Sequence, residues 1–470
     1  MTVADLSAAT RSRLEEAVAG GFPSTVADLG ALVRIPSVSW DGFDQTQVQR
    51  SAEAVAALLG DLGVFEQVRI ERARQADGEL GRPAVLATRR AAAGRPTVLL
   101  YAHHDVQPPG DDADWATAPF EPTLVGERLH GRGAADDKAG VMTHVAAIRA
   151  LTEALGAEPQ VGIVAFVEGE EEWGSQSFKD FIVAHREALA ADAIIVADSG
   201  NWDTATPAIT VGLRGNVTFV MTLRTLDHAS HSGMFGGAVP DAPMAAIRLL
   251  STLWDEDGVV AVPGLTSRQA PTPDYDEAQL RAETGLLPGA SPIGRDTILS
   301  RIWDKPAITV TGMDLPSVVN ASNTLTPVVR VKVSVRIAPG QRAEDAYEAV
   351  RAHLIANAPW GAELAFGELQ LGDPFLVDTA APLFGVAKDA MAAAWGREAV
   401  EQGVGGSIPF IAELVEVFPA AQILITGVED PDSRAHSPNE SLHLPTFRRA
   451  ILAESLFLAA LDGRGVAGEA

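Results

Sequence analysis

Three short apolar runs, each closing on histidine or acidic residues, set the strongest limit on how this chain can fold. They are "TVLLYAHHD" (97–105), "VGIVAFVEGE" (161–170) and "ADAIIVADSG" (191–200). Unbroken runs of this length are the signature of strands covered on both faces, because neither side meets water. Between and around them lie helical patterns, "VQRSAEAVAALLGDLG" (48–63) and "DKAGVMTHVAAIRALTEALGA" (137–157), and further strand candidates at "FEQVRIER" (65–72) and "AVLATRR" (84–90). Strand–helix alternation of this kind builds a layered α/β sheet. Ligands of such sheets bind beyond the carboxyl ends of the strands, where the histidine and acidic residues of this chain fall.

The 470 residues are too many for one ordinary hydrophobic core, so two domains are expected. The pattern changes after about residue 208. "GNVTFVMTLRT" (215–225) alternates like a half-exposed strand, and a helix follows at "PDAPMAAIRLLSTLW" (240–254). Residues 255–322 are rich in Pro and Gly with weak periodicity. Then come the strand "VVRVKVSVRIAP", the helix "AEDAYEAVRAHLIANAP" and the strand "AELAFGELQL", a β-α-β-α-β succession on a sheet with one open face. From "APLFGVAKDAMAAAWG" (381–396) the α/β style resumes, with "AAQILITGV" as another buried strand. The expected parse is a mixed-sheet α/β domain of three layers, residues 1–208 and 377–470, interrupted by a smaller α+β domain at 209–376.

Composition removes several functions. With no cysteine there are no disulfides, thiolate nucleophiles or thiolate metal ligands, so a metal can be held only by His and carboxylates. A net charge of −26 argues against nucleic acid or an anionic membrane as partner, since phosphate contacts need Lys and Arg. No apolar stretch is long enough to span a bilayer, and the first twenty residues lack the basic-then-apolar pattern of a secretory signal. A cytoplasmic location is expected.

The candidate site residues are scattered. In "YAHHDVQP", His103 and Asp105 stand two apart, on one face of a strand, whereas His104 faces the other way. A ligating imidazole needs an acceptor on its second nitrogen, a role open to Asp105. Asp136 and Asp137 sit where a strand becomes a helix; either is a good N-cap, and one carboxylate there has enough lone pairs to bridge two cations. "EGEEEWGS" places four glutamates in five positions beside a buried strand. As a solvated turn these need no function; as a site, one would bind metal while a neighbour takes a proton from a water. Asp198 ends another strand and His436 lies in a late polar loop. Together these residues supply the nitrogen and oxygen donors expected of two divalent cations sharing a carboxylate.

Over nearly its whole length the chain resembles the di-metal peptidases that include carnosinase-like and Cys-Gly dipeptidases, with aminoacylases and acetylornithine deacetylase as more distant relatives. The stretches that carry the likeness are, in order, "YAHHDVQPPG", "GRGAADDKAG", "EGEEEWGS", "VADSGNW", "VGLRGN", "HSGMFGG", "VSVRIAPG", "GGSIPF" and "AHSPNE". The wording "HSGMFGG" points to the dipeptidase branch. The resemblance implies that Asp136 bridges both metals, that His103 and Asp198 complete one ion, and that Glu172 and His436 complete the other. It further implies Glu171 as general base and acid, Asp105 as the group orienting His103, and a cis peptide bond between Asp136 and Asp137. The inserted domain is implied to be a ferredoxin-like lid that forms a homodimer. From it come His231, with His228 as a rival, to stabilise the carbonyl oxygen in the active site of the partner subunit, and Arg336 to pair with the substrate carboxylate. Ser407, Gly406 and Thr324 match residues lining the substrate pocket. His130, His144, His185, His353 and His443 are read as structural or surface residues.

The expected activity is hydrolysis of the peptide bond of dipeptides by a water shared between two divalent cations, zinc first, with manganese or cobalt as alternatives. An N-acyl amino acid deacylase or a carboxypeptidase would use the same di-metal site. A non-catalytic metal protein is disfavoured by retention of all five ligands and Glu171. A two-carboxylate glycosidase leaves His103 and His436 unused.

Overall fold

The computed structural model describes residues 2–75, 77–406 and 409–463, and its backbone separates into two compact units. The larger comprises residues up to Val211, Val377–Gln402, and the chain from Glu413 onward. Its sheet runs in the order Gln67–Glu71, Ala84–Arg89, Gly162–Glu168, Thr97–His103, Ala193–Val196, Gln422–Ile425 and Ala208–Leu213. Four central strands, from Gly162–Glu168 to Gln422–Ile425, are parallel, with antiparallel neighbours on both sides. The apolar runs read from the sequence are this parallel centre, and every residue of Gly162–Glu168 is buried.

Both faces are covered. On one, Val85, Ala102, Ala165 and Val167 pack in a core with helices Ala8–Val33, Thr46–Asp61, Lys138–Leu155 and Leu444–Asp462. On the other, Phe166 stacks on Phe181 with ring centroids 4.7 Å apart, while Tyr101 meets Phe178 edge-on at 6.0 Å. Phe178 and Phe181 belong to helix Phe178–Ala184. Helix–sheet–helix layering follows because a strand pair apolar on both faces must be buried twice. Helix Lys138–Leu155 starts on Asp137, whose carboxylate accepts the Gly140 N–H at 3.1 Å, and stops on Gly156 at φ 61°.

The smaller unit comprises Gly212–Leu376 and returns for Gly403–Ala412. Its antiparallel sheet has the order Ala307–Met313, Val328–Ile337, Gly215–Arg224, Glu363–Gly372. Helices Ala242–Leu250 and Ala343–Ala356 cover one face, and Val329, Val331, Val333 and Val335 alternate into that core. The succession is β-α-β-β-α-β, the ferredoxin-like arrangement. The sequence reading lacked the strand Ala307–Met313, which lies in the stretch of weak periodicity. It is an edge strand, broken by an irregularity between Val310 and Gly312, so its burial does not alternate cleanly.

Phe166 is 1% exposed at the centre of the aromatic layer. Phe166→Ala should therefore destabilise the larger unit by about 3–5 kcal/mol. Denaturant unfolding reads this directly, and a loss below about 1 kcal/mol would contradict the packing described.

Candidate metal centre

The parallel strands deliver their carboxyl ends to one place. His103 is the last residue of its strand, Glu171 and Glu172 occupy a 3-10 turn just past Glu168, and Asp198 lies two residues past Val196. Asp136 arrives on the turn before helix Lys138–Leu155, and His436 on a late loop where it holds φ 60°. A non-glycine residue in that left-handed region is held there by its surroundings.

These side chains converge in two groups that share one member. His103, Asp136 and Asp198 form the first; Asp136, Glu172 and His436 form the second; within each, the donor atoms lie within 4.8 Å of one another. Asp136 turns one oxygen to each: Oδ1 is 3.1 Å from His103 Nε2, and Oδ2 is 3.0 Å from His436 Nε2. Asp198 Oδ1 stands 3.8 Å from His103 Nε2, and Glu172 Oε2 stands 3.2 Å from His436 Nε2. Glu171 Oε2 is 3.9 Å from His103 Nε2, beside the first group. The peptide bond Asp136–Asp137 is cis.

Asp105 does more than face His103. Its backbone carbonyl and Oδ1 lie 3.1 and 3.4 Å from His103 Nδ1, which leaves Nε2 for the site. Its two oxygens also accept the Glu171 and Glu172 N–H groups at 3.2 and 3.1 Å, and Ser39 donates at 2.6 Å. One carboxylate thus fixes the imidazole and the glutamate turn together. Gln107 adds a 2.7 Å hydrogen bond to Glu172 Oε2.

The electrostatics are those of a cation site. Burial, then the nearby Asp198, Glu172 and Asp105 charges, pushes the Glu171 carboxyl well above its usual range. Burial, then Asp136, raises Glu172 to about 7. His436 is pushed up to about 11 by hydrogen bonds to Asp136 and Glu172. Burial opposes charge on His103, but its bonds to Asp105, Asp136 and Asp198 outweigh that and raise it too. Carboxylates brought this close hold protons unless positive charge joins them, and divalent cations satisfy the donor set without protons.

Other histidines are accounted for locally. His104 Nε2 is 2.9 Å from the Pro83 carbonyl, and burial lowers its pKa to about 4. His144 pairs with Glu454 at 2.9 Å in the core. In the smaller unit, His231 pairs with Thr324 across a short two-stranded ribbon, so two of the expected substrate residues are neighbours. His231 Nδ1 accepts the Gly233 N–H at 3.0 Å. His228 is exposed and lies outside this ribbon. Arg336 is half-buried on strand Val328–Ile337, close enough to Arg214 for like-charge repulsion, and Gly406 is half-buried in the returning segment. Ser407 lies outside the described residues.

Sequence reasoning missed Glu440. This carboxylate is fully buried and accepts four hydrogen bonds: Arg132 Nη1 at 2.6 Å, and the N–H groups of Gly133, Ala135 and Asp136 at 3.1, 2.9 and 3.1 Å. It therefore clamps the turn carrying Asp136 to the loop carrying His436. The only sequence signal is its place at the end of "AHSPNE", where it reads as an ordinary loop residue.

The sequence profile of peptidase family M20/M25/M40 matches residues 99–459. A cysteinylglycine-S-conjugate dipeptidase of Corynebacterium striatum is 32% identical over 415 residues, 87% of this chain and 89% of that protein. The Cys-Gly metallodipeptidase dug1 of Schizosaccharomyces pombe is 30% identical over 445 residues, 91% and 93% of the two chains. The solved structure of the dipeptidase Dug1p from Saccharomyces cerevisiae superposes with a TM-score of 0.77 at 23% identity, over 97% of this chain and 99% of that one, a likeness of fold. The chain belongs to peptidase family M20/M25/M40. Within it, the chain falls in the dipeptidase branch.

Removing the Glu440 charge leaves Arg132, itself 1% exposed, as a buried cation without its partner. Glu440→Gln should cost about 3–5 kcal/mol of stability. Thermal and denaturant unfolding measure it; a variant within about 0.5 kcal/mol of the parent would refute the clamp.

Proposed function

We propose that this chain is a metallo-dipeptidase in which Asp136 is shared by two divalent cations, His103 and Asp198 completing one and Glu172 and His436 the other. The observation that carries this is the pair of contacts from the two Asp136 oxygens, 3.1 Å to His103 and 3.0 Å to His436. Bound there, the cations supply Lewis acidity that lowers the pKa of a water and polarises the peptide carbonyl. Zinc suits the mixed imidazole and carboxylate donors best, with manganese or cobalt as substitutes.

The protein's groups carry the rest. Glu171 takes a proton from the attacking water as its oxygen bonds to the carbonyl carbon. It then returns that proton to the amine nitrogen as the C–N bond breaks, leaving two amino acids. Glu171 Oε2 stands 3.9 Å from His103 Nε2, beside the first donor group and within reach of a water held there. Asp105 keeps His103 oriented. His231 hydrogen-bonds the carbonyl oxygen as negative charge builds on it, with Thr324 beside it. Arg336 takes the substrate carboxylate through its planar fork, with Gly406 and Ser407 lining that end. The smaller unit serves as a lid and as the contact surface of a homodimer, and the enzyme works in the cytoplasm. No described helix is long and apolar enough to cross a membrane.

Glu171→Gln should cut kcat on a Cys-Gly or alanyl dipeptide by about 10²–10⁴-fold while metal content stays unchanged. Chelation should abolish the parent's activity, and readdition of zinc or manganese should restore it. Full activity of the variant would remove Glu171 from the mechanism, and activity in chelator would remove the metals. Cleavage of N-acyl amino acids in preference to dipeptides with a free amine would make the chain a deacylase instead.

A further inference from the structure

The stretch "VGLRGN" has no role in the mechanism above, yet it places an arginine where one is costly. Arg214 is 8% exposed, at the head of strand Gly215–Arg224. Among the described residues it makes no ion pair. Among those residues its side chain reaches two carbonyls, with Nε donating to Gly405 at 3.3 Å and Nη1 to Lys305 at 3.5 Å. Burial, then the neighbouring charge of Arg336, lowers its pKa to about 10. A desolvated cation next to a second cation is unfavourable unless an anion joins them.

Arg214 lines a cavity of about 540 Å³ inside the smaller unit, a volume within the range of small-molecule sites. The walls are apolar, with Trp254, Val260, Leu286 and Ile302 among them. Three further basic residues line it, but each is engaged locally. Arg295 pairs with Asp255 and Asp257, Arg301 donates to the carbonyls of Ile293 and Asp296, and Lys305 pairs with Asp296. No Asp or Glu side chain lines the cavity among the described residues. Among the described residues the lining thus offers an anion one buried and unneutralised partner, and offers a cation no acidic side chain.

We propose that this cavity binds a monocarboxylate with an apolar body, the carboxylate on Arg214 and the body against Trp254, Val260, Leu286 and Ile302. A free amino acid fits less well, because its ammonium group finds no acid there. Neither Arg336 nor any of the proposed metal ligands is among the residues lining this cavity.

Calorimetric titration of the metal-loaded enzyme with 4-phenylbutyrate, 4-phenylbutanol and L-phenylalanine tests it. Phenylbutyrate should bind saturably, with the alcohol and the amino acid at least about tenfold weaker, the size expected for loss of a charged hydrogen bond. Arg214→Met should weaken phenylbutyrate by about tenfold or more. Ile293→Trp, which fills the cavity from a side chain 68% exposed and so spares the fold, should weaken it too. Chelation should leave the affinity unchanged, which separates this site from the metals. Absence of saturable binding, equal affinity for acid and alcohol, or indifference to both substitutions would overturn the proposal. A loss of binding on chelation would place the ligand at the metal centre and overturn it as well.

Discussion

The larger unit is organised around an unfavourable object, a knot of buried negative charge. Asp136, Asp198, Glu171 and Glu172 meet within a few ångströms of two imidazoles, and Asp105 stands directly behind them. Like charges this close in a poorly solvated place repel by several kcal/mol, so the cluster persists only where protons or cations offset it. Sharing Asp136 between both donor groups reduces the repulsion, since one carboxylate does the work of two. The surrounding structure supports that economy: Glu440 fixes the Asp136 turn by three backbone N–H groups, and Asp105 fixes the glutamate turn by two.

The sheet explains why such a knot can be assembled at all. Parallel strands have both faces covered by helices, so their polar residues can appear only at the ends. Three neighbouring strands, Gly162–Glu168, Thr97–His103 and Ala193–Val196, therefore bring Glu171 and Glu172, His103 and Asp198 to one edge without long excursions. Helix Lys138–Leu155 begins at the same edge and is capped by Asp137, which places Asp136 one residue upstream. The two aspartates so divide their work, one as a helix cap and one toward the site.

Much of this was legible in the sequence, for a physical reason. A strand buried on both faces leaves an unmistakable apolar run, and the residue that ends it is then conspicuous, as His103 and Asp198 are. The two-residue spacing of His103 and Asp105 announced their pairing in the same way. The register of the glutamate run was not fixed by spacing and needed the following "WGS". Features lacking a local pattern stayed hidden. Strand Ala307–Met313 lies at an edge with an irregularity, so neither of its faces alternates. Glu440 acts through partners more than 300 residues away in sequence, and nothing near it signals that. The return of Gly403–Ala412 to the smaller unit is likewise a tertiary fact, written in no local composition.

The shared carboxylate is tested most directly by anomalous diffraction from crystals of the full chain loaded with zinc. The account predicts two peaks about 3.5–4 Å apart, one among His103, Asp136 and Asp198 and the other among Asp136, Glu172 and His436, with Asp136 between them. A single peak, or a pair that leaves Asp136 unengaged, would contradict it.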